Sequence, residues 1–137
     1  MIFQTLTLSF KDQILKGQHD LLTDTIRLAL YTSNATLDEN TTVYSTTNEV
    51  SGTGYSAGGV VLTGVTINTS NSVVYVNFNN AVWNPAAFTA AGGLIYNASK
   101  SNKSIAVLSF GADKTATNTF TVQMPTNSSS SALLRFT

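Results

Sequence analysis

A glycine-rich stretch near the middle of the chain constrains the fold more than any other feature. Residues 48–59 read Asn-Glu-Val-Ser-Gly-Thr-Gly-Tyr-Ser-Ala-Gly-Gly and contain four of the nine glycines, at Gly52, Gly54, Gly58 and Gly59. Glycine carries no Cβ atom, so it tolerates positive φ and a close approach of neighbouring backbone. The stretch therefore predicts a sharply folded structural loop that includes Glu49 and is pinned by Tyr55.

Most of the remaining chain alternates between apolar and polar residues over short runs, as half-buried strands do. We predict strands over residues 25–32, 59–68, 72–78, 87–97, 104–110, 117–124 and 132–136. Turns are predicted at residues 69–71, 98–102 and 111–115, where residues with strong turn preferences interrupt the alternation.

Helical spacing occurs only in residues 8–22. Phe10, Ile14 and Leu15 form its apolar side, Ser9 is a plausible N-cap and Gly17 a plausible stop. Short strands separated by turns, with one leading helix and no βαβ spacing, predict an all-β fold. We expect an antiparallel β-sandwich or jelly roll with one short N-terminal helix.

Length and charge limit what this protein can be. The 137 residues are enough for one domain with a core and too few for two. We expect an N-terminal arm and short helix over residues 1–23 and a β-sandwich over residues 24–137. There are only seven basic and seven acidic residues, whereas 21 Thr, 15 Ser and 13 Asn supply most of the polar surface. So little charge repulsion favours a protein that lives in an assembly.

The same composition argues against several classes of function. The net charge is zero and the basic residues are scattered, which argues against a nucleic-acid partner. Disulfides and thiolate metal sites are excluded because the chain has no cysteine. The N-terminus does not resemble a secretory signal, and no run approaches the roughly 18 apolar residues of a membrane span. We therefore expect synthesis in a cytoplasm and no membrane partner.

The glycine loop resembles a run in small proteins encoded among the head and tail genes of tailed bacteriophages, Glu-Val-x-Gly-x-Gly-Tyr-x-x-Gly-Gly. In those proteins the run follows a Leu-Tyr-Thr strand and an Ala-Thr-Leu segment, here residues 30–32 and 35–37. The resemblance continues through Val82-Trp83, residues 93–96, 101–103 and 110–114, and so covers most of the chain from about Asp24 onward. It implies a virion component without specifying which one.

Candidate catalytic groups are few. His19 is the only histidine, so a histidine metal cluster is impossible and a Ser/His/Asp triad would need this residue. It follows the predicted helix, where a solvated or helix-capping histidine is expected. Asp38 and Glu39 are adjacent and cannot form the facing pair of a glycosidase. Glu49 and Asp113 would meet only through the fold. We predict no enzymatic activity, no metal and no cofactor.

Two roles are open for Glu49. It could ligate calcium together with Asp38 or backbone carbonyls, but the alternating acidic residues of a calcium loop are missing. We favour the other role, in which its carboxylate accepts backbone hydrogen bonds inside the loop or pairs with Arg27 or Arg135.

The aromatic residues also have two readings. Trp83 could be a sugar-stacking platform, joined by some of the five tyrosines. Single aromatics on different strands are more often anchors of a core or an interface. We favour that reading and predict Trp83, Phe10 and Ile14 as candidate interface residues.

These observations favour a non-enzymatic structural protein of the phage particle. We predict a capsid decoration or cement protein that binds the major capsid protein on the outside of the assembled shell and stabilises it. It would be made in the host cytoplasm and located on the virion surface, as a homodimer or homotrimer. The alternative is a tail or fibre module with a carbohydrate-binding face.

Overall fold

The computed structural model describes residues 1–136, which form ten strands and one α-helix. In chain order the elements are β1 (Thr5–Leu6), α1 (Leu8–Leu15), β2 (Ile26–Tyr31), β3 (Val60–Val61), β4 (Thr66–Ser70), β5 (Val73–Asn77), β6 (Ala81–Trp83), β7 (Phe88–Asn97), β8 (Lys103–Ala116), β9 (Phe120–Val122) and β10 (Leu134–Phe136). The predicted all-β fold with one short helix is confirmed.

The strands form three antiparallel sheets. The central sheet has five strands in the order β1-β8-β7-β2-β3, and its long β7–β8 hairpin pairs with β2 on the other side of β7. A three-stranded sheet has the order β10-β5-β4, and β6 pairs with β9. Residues of both smaller sheets share one hydrophobic core with one face of the central sheet. The arrangement is therefore sandwich-like.

The central sheet is covered on both faces. Leu28 and Leu30 of β2 belong to the main core, while Ala29 and Tyr31 of the same strand belong to a second cluster on the opposite face. That second cluster is closed by residues of the segment after β2, such as Leu37. Burial on both faces explains why β2 reads as a nearly continuous apolar run.

The N-terminal part is built into this structure. Strand β1 pairs with β8, and Phe10 of α1 is fully buried in the main core. Within the single predicted domain, residues 1–23 therefore contribute an edge strand as well as the expected short helix. Thr7, not Ser9, caps the helix, because its hydroxyl accepts a hydrogen bond from the Phe10 N–H at 3.3 Å. The helix stops before Gly17, as predicted, and Gly17 has a φ of +71°.

Leu15 does not lie on the buried side of the helix, as its spacing predicted. Its side chain is 88% exposed, and Phe10 is the fully buried residue of the helix, which ends at Leu15. The helix itself spans only residues 8–15 of the 15-residue stretch with helical spacing.

The predicted strands match β2 and β7 closely. The prediction is wrong where one stretch of sequence pairs with two different strands. The predicted strand 59–68 is two strands: β3 pairs with β2 and β4 pairs with β5, with Gly64 at φ +65° between them. The predicted turn at 111–115 is an irregularity inside β8, which pairs with β7 both before and after it. The ten-residue β7 holds the two halves of β8 together. Strands β1 and β6 were not predicted.

Candidate functional site

The glycine loop is organised around the carboxylate of Glu49. Glu49 lies opposite Tyr31 at the end of β2 in an antiparallel bridge. Its Oε1 accepts a hydrogen bond from the Tyr44 hydroxyl at 2.7 Å. Its Oε2 accepts one from the Tyr55 hydroxyl at 2.5 Å and one from the Gly58 N–H at 2.8 Å. The predicted backbone hydrogen bond inside the loop is confirmed, and two tyrosines that the sequence did not link to Glu49 join it.

The predicted pairing of Glu49 with an arginine is wrong. Arg27 instead donates from Nη2 to the Gly59 carbonyl at 2.9 Å and from Nε to the Gly58 carbonyl at 3.3 Å. The Tyr96 hydroxyl also donates to the Gly58 carbonyl, at 2.7 Å. Arg135 lies elsewhere and donates to the Ser130 carbonyl. The loop backbone near Gly58 is therefore held from both sides, through its N–H by a carboxylate and through its carbonyls by Arg27 and Tyr96.

The two tyrosines that donate to Glu49 resist ionisation. Burial raises the pKa of Tyr55, and its hydrogen bond to Glu49 raises it further. Burial and the hydrogen bond to Glu49 likewise raise the pKa of Tyr44. Both hydroxyls therefore remain protonated and continue to donate. With three donors already directed at it, the Glu49 carboxylate acts as a structural acceptor, and the calcium alternative has no observation in its favour.

Two glycines of the loop occupy places that no other residue would fit. Gly54 has a φ of +86°, and an added Cβ would lie 1.8 Å from the Pro85 carbonyl oxygen. Gly59 has a φ of +77°, and an added Cβ would lie 1.7 Å from the Leu28 carbonyl oxygen. At Gly52 the obstacle is contact, since a Cβ would lie 2.8 Å from the Ala87 carbonyl oxygen. The loop packs backbone against backbone, which only glycine permits.

Tyr55 ties the loop to the core. Its hydroxyl accepts a hydrogen bond from the Leu30 N–H at 2.9 Å while donating to Glu49. Its ring stacks near Trp83, with centroids 6.2 Å apart, and meets Phe88 edge-on at 5.6 Å. The same side chain thus bridges strand β2 and the main core.

Trp83 and Phe10 are core residues, which corrects their assignment as candidate interface residues. Trp83 is only 4% exposed and packs against Phe88 and Phe120. Its ring presents no open face on which a sugar could stack. Phe10 is fully buried, and Ile14 is partly buried against the same core. The apolar surface of Trp83 and Phe10 is covered within the chain, so neither is a free anchor, whereas Ile14 keeps part of its side chain exposed.

His19 is buried, contrary to the expectation of a solvated or helix-capping residue. It is 7% exposed, and its ring lies against Phe10 with centroids 5.1 Å apart. Its Nε2 is 2.8 Å from Gln13 Oε1, and its Nδ1 is 3.0 Å from Asn97 Nδ2. Burial lowers the pKa of His19, and Lys103 lowers it further. Asn97 follows His19 by 78 residues, so no local pattern links them.

Asp24 belongs to the same cluster. Its carboxylate accepts hydrogen bonds from Asn97 Nδ2 at 2.8 Å, from the Asp20 N–H at 3.0 Å and from Lys100 Nζ at 2.9 Å. Burial would raise the pKa of Asp24, but the hydrogen bonds from Asn97, Asp20 and Lys100 outweigh it and lower the pKa to about 2. No local pattern singles out Asp24 or Asn97, because the side chains that they contact are distant in the chain.

The remaining acidic candidates are not brought together. Asp38 caps a local turn, with its Oδ1 accepting the Asn40 N–H at 2.8 Å, and Glu39 is exposed beside it. Asp113 is exposed in the irregular part of β8, whereas Glu49 is engaged inside the glycine loop.

Comparisons with protein-family models, with curated proteins and with solved structures returned no match to this chain. Across residues 1–136, no helix has both the length and the apolar character needed to cross a membrane.

Proposed function

We propose that this protein is a non-enzymatic structural component of a tailed-phage particle, a capsid decoration protein that binds the outside of the assembled shell. The proposal starts from the resemblance of the glycine loop and its flanking segments to phage virion proteins. It is supported by the role of that loop, whose polar groups are directed at one another and at strand β2. We interpret the loop as a rigid structural element, with the capsid-binding surface elsewhere on the protein.

The observation that carries the proposal is the distribution of exposed apolar side chains. Ten large apolar residues are exposed, and half of them lie in the first 22 residues. These five are Met1, Phe3, Leu8, Leu15 and Leu22, which we call the N-terminal apolar set. Exposed apolar patches are typical of surfaces that bind another protein, and the first 22 residues supply the greatest share of exposed large apolar side chains. We therefore assign the contact with the major capsid protein to this set.

Stabilisation of a shell follows from such binding without any chemistry. A ligand that binds the assembled lattice and not the free subunits favours assembly by a free energy set by its concentration and dissociation constant. Covering one exposed leucine contributes about 1.5–3 kcal/mol. Leu15 and Leu22 are 88% and 60% exposed, so replacing both should weaken binding measurably.

The test uses particles of the parent phage from which this gene has been deleted. We expect the purified protein to bind these particles in hundreds of copies and to raise the temperature at which they release DNA. It should not bind dissociated capsid subunits. The double variant Leu15→Ser/Leu22→Ser should bind at least about tenfold more weakly with an unchanged melting temperature. Val82→Ser is the matched control, because Val82 is 50% exposed and lies outside the N-terminal apolar set.

Two outcomes would overturn the assignment. A copy number of a dozen or fewer in intact particles would indicate a tail component. Equal binding of the double variant and the Val82→Ser control would remove the N-terminal apolar set from the contact. The alternative, a tail module with a carbohydrate-binding face, relied on Trp83 as the residue on which a sugar stacks, and Trp83 is buried.

A homodimer or homotrimer remains part of the proposal. Strand β4 is an edge strand, all five of its residues are exposed, and none is charged or a proline. Edges of this kind pair readily with another strand. Sedimentation at micromolar protein should show an oligomer that Ile67→Lys disrupts and Val82→Lys does not. A monomer at every concentration would contradict this part.

A further inference from the structure

The connection between α1 and β2 is held to the central sheet through the side chain of His19. This connecting segment, residues 16–25, contains His19 and Asp24, and both contact Asn97 at the end of β7. The ring of His19 is almost completely buried against Phe10. A histidine at such a junction can make it sensitive to pH, because the charge of histidine changes near neutral pH.

The hydrogen bonds of Asn97 fix which atom of its amide faces His19. Asn97 Oδ1 accepts the Ser99 N–H at 3.0 Å, so it is the oxygen. Asn97 Nδ2 donates to the Asp24 carboxylate at 2.8 Å, so it is the nitrogen. Its second hydrogen points at His19 Nδ1, 3.0 Å away. An amide nitrogen only donates, and therefore Nδ1 of His19 must accept.

The other ring nitrogen completes the assignment. His19 Nε2 lies 2.8 Å from Gln13 Oε1, an acceptor that requires a donor. His19 is therefore neutral and carries its proton on Nε2. A second proton on Nδ1 would face the N–H of Asn97, and Asn97 cannot turn its amide over without losing its bonds to Ser99 and Asp24.

The charges around His19 come from three parts of the chain. Lys103 at the start of β8 and Lys100 in the β7–β8 turn disfavour the imidazolium, while Asp24 favours it. Asp24 is already engaged by Lys100 at 2.9 Å and by Asn97. Burial adds to the effect of the two lysines, and together they lower the pKa of His19.

We propose that the His19–Asn97 contact is an acid-sensitive latch, which opens when Nδ1 takes up a proton and releases the connecting segment from the end of the central sheet. Opening is local because Leu21 keeps the middle of the segment buried in the main core. At the end of the sheet Asn97 holds His19 and Asp24, Ser99 Oγ accepts the Thr25 N–H at 2.8 Å, and the Thr25 carbonyl accepts the Ala98 N–H at 2.9 Å. The Glu49 network at the other end of β2 contains no histidine and stays closed.

The direction of the effect follows from proton linkage. The opened state binds a proton with the ordinary histidine pKa of about 6.5, and the closed state binds it only at lower pH. Closing is therefore fully favoured above about pH 6.5 and becomes less favourable as the pH falls below it. Between pH 7 and pH 5 the opening equilibrium rises by up to about twentyfold. His19 is the only histidine, so the change belongs to one residue.

Two measurements on the unmodified protein test the latch. Imidazole nitrogen shifts in NMR should show the Nε2–H tautomer at pH 7.5 and a pKa below 6.5. The Thr25 and Ala98 amides donate across the junction, to Ser99 Oγ and to the Thr25 carbonyl. Hydrogen exchange, corrected for its intrinsic pH dependence, should show their protection falling by up to about twentyfold between pH 7 and pH 5. The Val50 amide, which donates to the Leu30 carbonyl beside Glu49, is the internal control and should not change.

The matched variant is His19→Asn, whose side-chain oxygen can take the place of Nδ1 as acceptor but does not titrate. Its exchange at the Thr25 and Ala98 amides should be independent of pH between 7 and 5. A histidine pKa at or above 6.5, an Nδ1–H tautomer, or unchanged protection in the unmodified protein would overturn the latch. So would the same pH dependence in a folded His19→Asn variant.

Discussion

Strand β2 has a polar cluster at each end. One cluster is centred on a carboxylate and the other on a neutral imidazole. At its end, the Glu49 cluster combines a carboxylate with the hydroxyls of Tyr44 and Tyr55 and the Gly58 N–H. At its start, the His19 cluster joins a neutral imidazole to Asn97, which also holds Asp24. Both hold a loop to the same sheet, but only the second depends on a group that titrates near neutral pH.

The difference shows how one fold can contain a stiff and a responsive junction. The two hydroxyl donors of the Glu49 cluster belong to tyrosines whose pKa is raised, so both hydroxyls stay protonated over the physiological pH range. Glycines packed against backbone, such as Gly54 and Gly59, leave this loop no room to rearrange. The His19 cluster has no such glycines, and a single proton breaks its central hydrogen bond.

The largest expected effect tests the stiffness of the glycine loop. Gly54→Ala should lower the free energy of unfolding by more than about 3 kcal/mol, because it adds a left-handed backbone penalty to an overlap with the Pro85 carbonyl. Gly17→Ala is the control: Gly17 also has positive φ, +71°, but open space around it, so it should lose only about 1–2 kcal/mol. Chemical denaturation measures both.

The same pair of variants separates a scaffold from a contact surface. If the loop is a scaffold, capsid binding by Gly54→Ala should weaken in step with its stability. An unchanged melting temperature with lost capsid binding would instead make the loop a binding surface. No change in either property would contradict the stiff junction itself.

The second largest effect is expected from removing the charge of the Glu49 cluster. Glu49→Gln should cost about 2–3 kcal/mol, since an amide cannot accept from all three donors and leaves at least one buried donor unpaired. Glu39→Gln is the control, because Glu39 is exposed, and its change should stay within about 0.5 kcal/mol. Equal losses in thermal unfolding would show that the carboxylate of Glu49 does not organise the loop.

Replacing the centre of the second cluster should have a somewhat smaller effect. His19→Ala should cost about 2 kcal/mol, because it leaves a buried Asn97 N–H unpaired and a small void beside Phe10. The solvent-exposed His19 that we expected from the sequence would lose much less of the free energy of unfolding on this substitution. Capsid binding by the folded variant should be unchanged. Complete loss of infectivity with normal incorporation into particles would revive a catalytic role for His19.

The smallest effect concerns Asp24 under acid conditions. Its pKa is lowered to about 2, so its contribution to stability is present above the unfolded value of about 3.9 and is lost as the pH falls through about 2. Melting temperatures between pH 4.5 and pH 2 should therefore fall less steeply for Asp24→Asn than for the unmodified protein. Asp12→Asn is the control, because Asp12 pairs with Lys16 on the exposed helix surface. If the two variants behave alike, Asp24 is not the residue responsible.

Local features of the chain were predictable because they depend on residues close in sequence. The strand-like runs in residues 25–32 and 87–97 predicted β2 and β7, and Gly17 predicted the end of α1. The spacing of glycines around Tyr55 predicted a tightly packed loop. The same local view failed at residues 59–68, where the two halves join different sheets. Periodicity shows that a segment is a strand but does not identify its neighbour.

The sequence by itself therefore determined the fold class, the position of the glycine loop and the scarcity of candidate catalytic groups. Only the tertiary structure decided which groups meet. It placed Asn97 beside His19 across 78 residues, gave Glu49 two tyrosine partners instead of an arginine, and buried Trp83 and Phe10. The physical reason is that these contacts follow from strand order and sheet packing, which set the distances between side chains far apart in the chain and leave no mark on local patterns.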